Sequence, residues 1–343
     1  MFSKIFLNKE NLLSNLTFLK NNTDGKICAM VKANAYGHGA RQIVGILEQE
    51  IDFFGVSNQS EAEEIRDITN KDIIVFGACE DYEKAIKDDV SFAVFSYLQV
   101  KKIVCLSKKA KCLPKMHLCL NTGMNRYGIK TFDELKRIIA FLQKQNIELA
   151  GIYTHFSSLC CDKDYTDKQN KKFKDFLKLL PKNWTTIKHV GGGQTIFKNI
   201  HADMNRVGIE LYGYGNENVK PILSIESQIV DKQNIKKGEH IGYLCGFTAQ
   251  KDMTIATIPL GYGDGFCRKL SNKIEVIVNG KKTLGCGNIC MDAMMVDVSG
   301  ITCKIGDKVK MFDDAKKFAY IAGTSEYEIL TNFSKFRGER EII

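Results

Sequence analysis

Eight short apolar runs, at residues 26–33, 51–56, 72–77, 91–96, 115–121, 148–155, 187–191 and 203–209, are separated by helical patterns or long connections, and this alternation restricts the chain more than any other feature. Strands that alternate with helices build a parallel sheet, and eight such units favour a closed (β/α)8 barrel of the TIM type over an open sheet. One helix is expected over residues 59–67, with Ser57 or Asn58 as its cap. Near residue 220 the texture changes. From Pro221 onward, runs at 222–230, 237–240, 253–259, 274–278, 294–298 and 308–312 read as strands, with a turn at Asn279-Gly280 and few helical patterns between them. The expected organisation is an α/β barrel over residues 10–219 followed by a mostly β C-terminal domain over 220–343, to which residues 1–9 add through a strand at 3–7.

With 343 residues, 44% hydrophobic and 26% charged, the chain has the composition of a globular protein with a sizeable core. It contains no apolar run of the ~18 residues that would span a bilayer. The segment Met1 to Asn8 has neither a signal-peptide core nor a small-residue cleavage site, so a cytoplasmic protein without a membrane partner is expected. A formal net charge of +9 raises nucleic acid as a partner, but the lysines are interleaved with Asp and Glu along the whole chain, which argues against it. In the densest stretch, 163–182, Phe173, Phe176, Leu177, Leu179 and Leu180 alternate with lysines, the pattern of an amphipathic helix with a solvated basic face. The 12 cysteines fall mostly in apolar runs (Cys28, Cys105, Cys119, Cys286, Cys290), as buried thiols of a reducing compartment do. Neither Cys160-Cys161 nor Cys286 with Cys290 has a second pair at zinc-ligand spacing, so no metal is expected.

Reactive groups of a (β/α)8 barrel sit at the C-terminal ends of its strands. The sequence puts Lys32 at the end of the first, Arg126 after the fifth, His155 at the end of the sixth and Arg206 within the eighth. Glycine-rich backbone follows the seventh strand (Gly191-Gly192-Gly193) and the eighth (Gly208), where bare N–H groups can converge on a phosphate. Each piece has an ordinary alternative: a lysine that snorkels from a strand end, a flexible glycine loop, a structural histidine, a buried ion-paired arginine. Their joint appearance at one barrel mouth points instead to a Schiff-base lysine beside a phosphate site, which pyridoxal 5′-phosphate would satisfy.

The segment Val31-Lys32-Ala33-Asn34-Ala35-Tyr36-Gly37-His38-Gly39 resembles the cofactor-lysine motif of the alanine racemases, a family built from a barrel and a β domain. Similar too are Asn121-Thr122-Gly123-Met124-Asn125-Arg126-Tyr127-Gly128, Tyr153-Thr154-His155-Phe156, Arg206-Val207-Gly208-Ile209, Gly242-Tyr243, Gly261-Tyr262-Gly263-Asp264-Gly265, Cys290-Met291-Asp292 and Ser325-Glu326-Tyr327. The resemblance covers essentially the whole chain. It implies interconversion of L- and D-alanine by two-base proton transfer at Cα of a pyridoxal phosphate external aldimine, supplying D-alanine for peptidoglycan, in a homodimer with shared active sites. Lys32 would carry the cofactor and act as one base, and Tyr243 of the neighbouring subunit would be the other. Arg206 would donate to the pyridine nitrogen, and His155 would lie beside the ring and help hold Arg206. Tyr36, Gly208, Ile209 and Tyr327 would bind the phosphate with backbone from Gly192 and Gly193. Arg126 and Met291 would receive the substrate carboxylate, and Tyr262 would shape the entrance.

The sequence departs from the family pattern at two places. Cys119 stands where many members have a lysine, often carbamylated, that orients the substrate-binding arginine, and Asn121 stands where Asp is common. Less negative charge near Arg126 is therefore expected, with Asn121, a bound anion or water as the replacement acceptor. Gly192-Gly193 stands where Asn-Ser is common, so main-chain N–H groups must replace the seryl contact. Three rivals are a racemase of broader or serine specificity, a non-catalytic cofactor carrier and a decarboxylase of the same fold. The residues after Pro221, which include Tyr243, argue against the carrier, and Arg206 argues against the decarboxylase.

Overall fold

The computed structural model describes residues 2–198 and 200–343, which form two compact units. The first comprises Asn15–Lys32 and Val44–Leu211; the second comprises Met1–Ser14, Ala33–Ile43 and Tyr212–Ile343.

In the first unit eight parallel strands close into a barrel: β1 (Lys26–Met30), β2 (Phe53–Val56), β3 (Asp72–Val75), β4 (Ser91–Val94), β5 (Met116–Cys119), β6 (Gly151–Tyr153), β7 (Ile187–Val190) and β8 (Met204–Val207). Pairing of β1 with β8 completes the circle and puts Cys28 opposite Arg206. Every residue of β2, β4, β5, β6 and β8 is buried, as expected of strands covered on both faces. Helices start where a side chain can take the orphan N–H groups of a first turn. Asn58 Oδ1 accepts from the Glu61 N–H at 2.9 Å, and Glu61 returns the bond by accepting from the Ser57 N–H at 2.8 Å. Asp81, Ser96, Thr131 and Asp162 cap later helices in the same way. The helix Lys163–Leu177 buries Thr166, Gln169, Phe173 and Phe176 and leaves its lysines on the outside.

The second unit is mostly β. A six-stranded sheet runs in the order Lys281–Leu284, Glu275–Val278, Lys308–Phe312, Leu223–Gln228, Lys4–Leu7, Glu339–Ile342. Asp231–Ile235, Met253–Ile258 and Met294–Asp297 form a second sheet, and His240–Ile241 pairs with Phe247–Thr248. The N-terminal strand lies inside the larger sheet, antiparallel to Leu223–Gln228 and parallel to Glu339–Ile342. The expected strand at 237–240 is instead a turn. Gly238 has a φ of +91°, which breaks extended backbone between Asp231–Ile235 and His240–Ile241. The strand Glu339–Ile342 and the helices Ala315–Ala322 and Glu326–Asn332 carry weak sequence signals, because each is short and finds its apolar partners only in the folded unit.

All 12 cysteines are free. Cys28, Cys119 and Cys286 are buried as expected, whereas Cys105 is exposed and Cys290 half-buried. Cys105 lies on the helix Tyr97–Ala110, where a period of 3.6 residues turns it away from the buried side marked by Val100, Ile103 and Val104. No helix among the described residues is long and apolar enough to cross a membrane.

Ile5 has no exposed surface although it lies only five residues from the start of the chain. Ile5→Ala should cost ~2–5 kcal/mol of unfolding free energy, read from the midpoint of a chemical denaturation curve; a loss below ~0.5 kcal/mol would mean that the N-terminal strand does not belong to the core of that sheet.

Candidate active site

At the C-terminal end of the barrel, Arg206 governs the charge of its surroundings. Its side chain points from β8 into the barrel and is 6% exposed, and among the described residues no carboxylate reaches ion-pair distance. Neutral groups hold it instead. Nη1 lies 2.7 Å from His189 Nδ1, Nη2 donates to the Thr154 carbonyl at 2.9 Å, and the guanidinium sits over the rings of Tyr153 and Phe76 at 4.9 and 5.3 Å. An arginine only donates, so His189 Nδ1 must accept and its proton resides on Nε2. That N–H then donates to His117 Nδ1, 2.9 Å away. A Cβ on residue 151 would fall 2.1 Å from His117 Nδ1, so only Gly151 lets this ring stand there.

His155 also meets Arg206, its Nδ1 3.5 Å from Nη2. His189 and the Thr154 carbonyl make the shorter contacts, because β7 and the residues after β6 bring them directly beside the guanidinium. Burial, then the field of Arg206, lowers His155 and His117 to about 3 and His189 well below its ordinary value. All three rings are therefore neutral near pH 7.

Lys32 follows β1 by two residues. Burial is the largest influence on its amine and the Arg126 guanidinium the next; both lower its pKa, while Glu61 pulls the other way. A lysine so placed holds a larger neutral fraction than one in water, the state needed to attack a carbonyl or accept a proton. Arg126 is exposed, 5.7 Å from the Tyr127 ring centroid, and pairs with no carboxylate among the described residues. Asn121 is not its acceptor, since Asn121 Oδ1 takes the N–H groups of Gly123 and Asn125 at 3.2 and 3.1 Å and so shapes the loop that carries Arg126. Cys119 is buried against Ala93 and Tyr153, and burial pushes its thiol upward.

The loops after β7 and β8 form a cup of backbone N–H groups. Those of Gln194 and Gly208 reach the carboxylate of Glu210. A Cβ on Gly193 would lie 2.5 Å from Glu210 Oε2, which explains the glycine, whereas a Cβ on Gly192 would meet nothing nearer than the Arg206 carbonyl at 4.0 Å. Ile209 is buried.

In the second unit the chain after Lys32 makes a left-handed turn. Ala33, Asn34, Ala35 and Tyr36 have φ of 52°, 54°, 52° and 54°. This costs roughly 1–2 kcal/mol per non-glycine residue, so strong ties are needed. Asn34 Oδ1 accepts from the Ala40 N–H at 2.7 Å, Ser334 donates to the Ala33 carbonyl at 2.9 Å, and Gly37 packs where any Cβ would meet the Leu330 carbonyl at 2.0 Å. His38, fully buried and lowered to about 4, has Nδ1 within 2.9 Å of the Ala35 carbonyl and 3.1 Å of the Tyr36 carbonyl. Two oxygens at one nitrogen require a hydrogen there, so the neutral ring carries its proton on Nδ1. The Tyr36 ring lies 5.1 Å from Tyr212 and 6.0 Å from Tyr327.

The same unit brings Tyr262 and Met291 together. The Tyr262 N–H donates to the Cys290 carbonyl at 3.0 Å and the Gly263 N–H to the Met291 carbonyl at 2.8 Å. Buried Asp264 anchors this turn: it accepts from the Gly261 N–H at 2.9 Å and takes a bidentate pair from Arg337 at 2.7 and 2.8 Å. Tyr243 is 69% exposed and Met291 58%. The backbone after Tyr243 is left-handed at Leu244 and Cys245, and Asn288 holds the Tyr243 carbonyl at 2.8 Å. Sequence reasoning missed His189, His117, His38, Asp264 and Glu210. His38 and Asp264 stand within motifs quoted above without a role, and Glu210 left a trace as an acidic residue between Ile209 and Leu211 just past a buried strand.

Comparison with known proteins agrees with this geometry. Residues 7–216 match the alanine racemase N-terminal domain family and residues 222–342 the alanine racemase C-terminal domain family. An alanine racemase of Thermodesulfovibrio yellowstonii is 33% identical, with 97% of this chain and 95% of that one covered. The solved alanine racemase of Clostridium difficile 630 superimposes with a TM-score of 0.91 at 32% identity, over 96% of this chain and 93% of that one. That of Bartonella henselae, solved with covalently bound pyridoxal phosphate, gives 0.88 at 26% identity over the full length of both chains. The two family matches and these relatives together span nearly the whole chain, and the chain belongs to the alanine racemase family of isomerases.

Proposed function

We propose that this chain binds pyridoxal 5′-phosphate at the barrel mouth and, as a homodimer, moves the α-proton of alanine between Lys32 on one face and Tyr243 of a second copy on the other. The observation that carries this reading is Lys32 itself: a half-buried lysine just past the first barrel strand, with its amine lowered by desolvation and by Arg126, in the field of the buried cation Arg206. The donor set fits the cofactor. A primary amine, an arginine without a carboxylate partner and a cup of backbone N–H groups with open space at Gly192 match an aldehyde, a pyridine nitrogen and a phosphate. When bound, the cofactor supplies the electron sink that makes the α-proton removable.

The residues divide the remaining work. Racemisation removes a proton from one face of a planar carbon and returns it to the other, so it needs a group on each side. Lys32 takes one face. Tyr243 is exposed on its own chain, and cover from a second copy would exclude water and complete a site. Arg206 keeps its own proton, so it donates to the ring nitrogen without protonating it, and charge stays closer to Cα, where return of a proton is fastest. His189 and His117, neutral and fixed in tautomer, hold the guanidinium without neutralising it. Arg126, with no carboxylate partner among the described residues, is available to the substrate carboxylate, with the Met291 N–H of the partner copy beside it. Tyr36 and Tyr327 take the phosphate together with backbone from Gly192, Gly193, Gly208 and Ile209, His155 lies beside the ring, and Tyr262 borders the entrance. The domain boundary falls near residue 220. The reaction would serve D-alanine supply for peptidoglycan in the cytoplasm.

A racemisation assay across alanine, serine and larger amino acids tests the reading, with turnover of alanine expected to exceed that of the others; preference for serine would reassign the substrate. Lys32→Ala should remove the visible absorbance band of the lysine-linked cofactor and lower kcat by ~10²–10⁴, and an unchanged band would take Lys32 out of its role. Tyr243→Phe should slow proton removal from one alanine enantiomer far more than from the other; slight, equal effects would refute the two-base assignment. Mixing Lys32→Ala chains with Tyr243→Phe chains should restore activity through dimers in which one site is intact, and no recovery would count against sites shared between subunits.

A further inference from the structure

The cup of N–H groups after β7 and β8 already holds an acid that the proton transfer does not use. Glu210 is 2% exposed. The backbone N–H groups of Glu210 itself, Gly208 and Gln194 and the Gln194 side chain lie close enough to favour its charged form. The Glu210 side chain fills the room that a side chain at 193 would need, since a Cβ there would lie 2.5 Å from Oε2 and 2.7 Å from Cδ. Only amides face it from the 191–194 loop and from the end of β8, and no cationic side chain among the described residues pairs with it. Burial is the largest influence and raises its pKa, while the hydrogen bonds pull it back.

We propose that Glu210 is a phosphate-binding residue: it keeps its proton and donates the O–H to an oxygen of the cofactor phosphate, while its other oxygen faces the Gln194 amides. No bond is made or broken and the proton stays on the carboxyl. The inference rests on the reading that the cofactor phosphate sits at this cup. Two anions in contact in a water-poor site cannot both stay charged, and a carboxyl without a cation is the partner better able to hold a proton. A buried acid kept neutral in this way becomes a hydrogen-bond donor. The chain thus gains from residue 210 the polar group that Gly193 cannot supply.

The test is titration of the cofactor-free protein with pyridoxal 5′-phosphate, followed by absorbance, with ³¹P NMR of the bound phosphate and the melting temperature of each cofactor-free variant. Glu210→Gln, which both donates and accepts, should bind within about threefold of the natural chain, with a similar ³¹P shift. Glu210→Ala should weaken binding by about tenfold or more, the loss of one hydrogen bond to a charged group. Gly193→Ser should bind poorly because Glu210 occupies its space, and the double variant with Glu210→Ala should recover as the hydroxyl enters the vacated room. Tenfold tighter binding by Glu210→Gln would mean that Glu210 is ionised beside the phosphate and would overturn the proposal. So would unchanged binding by both Glu210 variants, or equal losses in the two. Failure of the natural chain itself to bind the cofactor would instead overturn the underlying reading of the site, and this inference with it.

Discussion

A buried guanidinium with no carboxylate beside it among the described residues sets the terms for everything near it. The chain accommodates the charge of Arg206 with a carbonyl, two aromatic faces and neutral imidazoles. Desolvation and this field together keep His117, His155 and His189 neutral, and desolvation and Arg126, with a smaller part from Arg206, depress the amine of Lys32.

The second constraint is backbone strain next to Lys32. Consecutive left-handed residues without glycine are expensive, and the chain holds them with the Asn34 side chain, Ser334, the close packing of Gly37 and the Nδ1–H of His38. These ties come from within the unit that contains Tyr36, Tyr212 and Tyr327. The strain fixes the direction in which the chain leaves Lys32, so the lysine and the tyrosine four residues later are oriented by different sets of contacts.

Much of the architecture was legible along the chain. The barrel strands are continuous apolar runs because both faces are buried, and their caps are short polar residues at the positions where first-turn N–H groups need an acceptor, as Asn58 illustrates. Segments whose apolar surface is only a few residues long, such as Glu339–Ile342 and Glu326–Asn332, take their structure from neighbours distant in sequence and left little local signal. Cys105 was misjudged for a related reason: a helical period and a strand period differ in which side of an element a residue faces.

For the candidate site, sequence by itself determined where the candidate groups lie along the barrel: Lys32 after the first strand, Arg206 in the last and the glycines that follow the seventh and eighth. Residue type and position along a repeated βα pattern suffice for that, because the fold places strand ends at one mouth. Only the tertiary structure decided how those groups are tuned. That His189 lies closer to Arg206 than His155 does, that Asn121 is spent on its own loop, that Glu210 fills the room beside Gly193, and that Tyr243 lies exposed on its own chain are all matters of distance between residues far apart in sequence. Hydrogen-bond geometry, burial and the electric field depend on those distances.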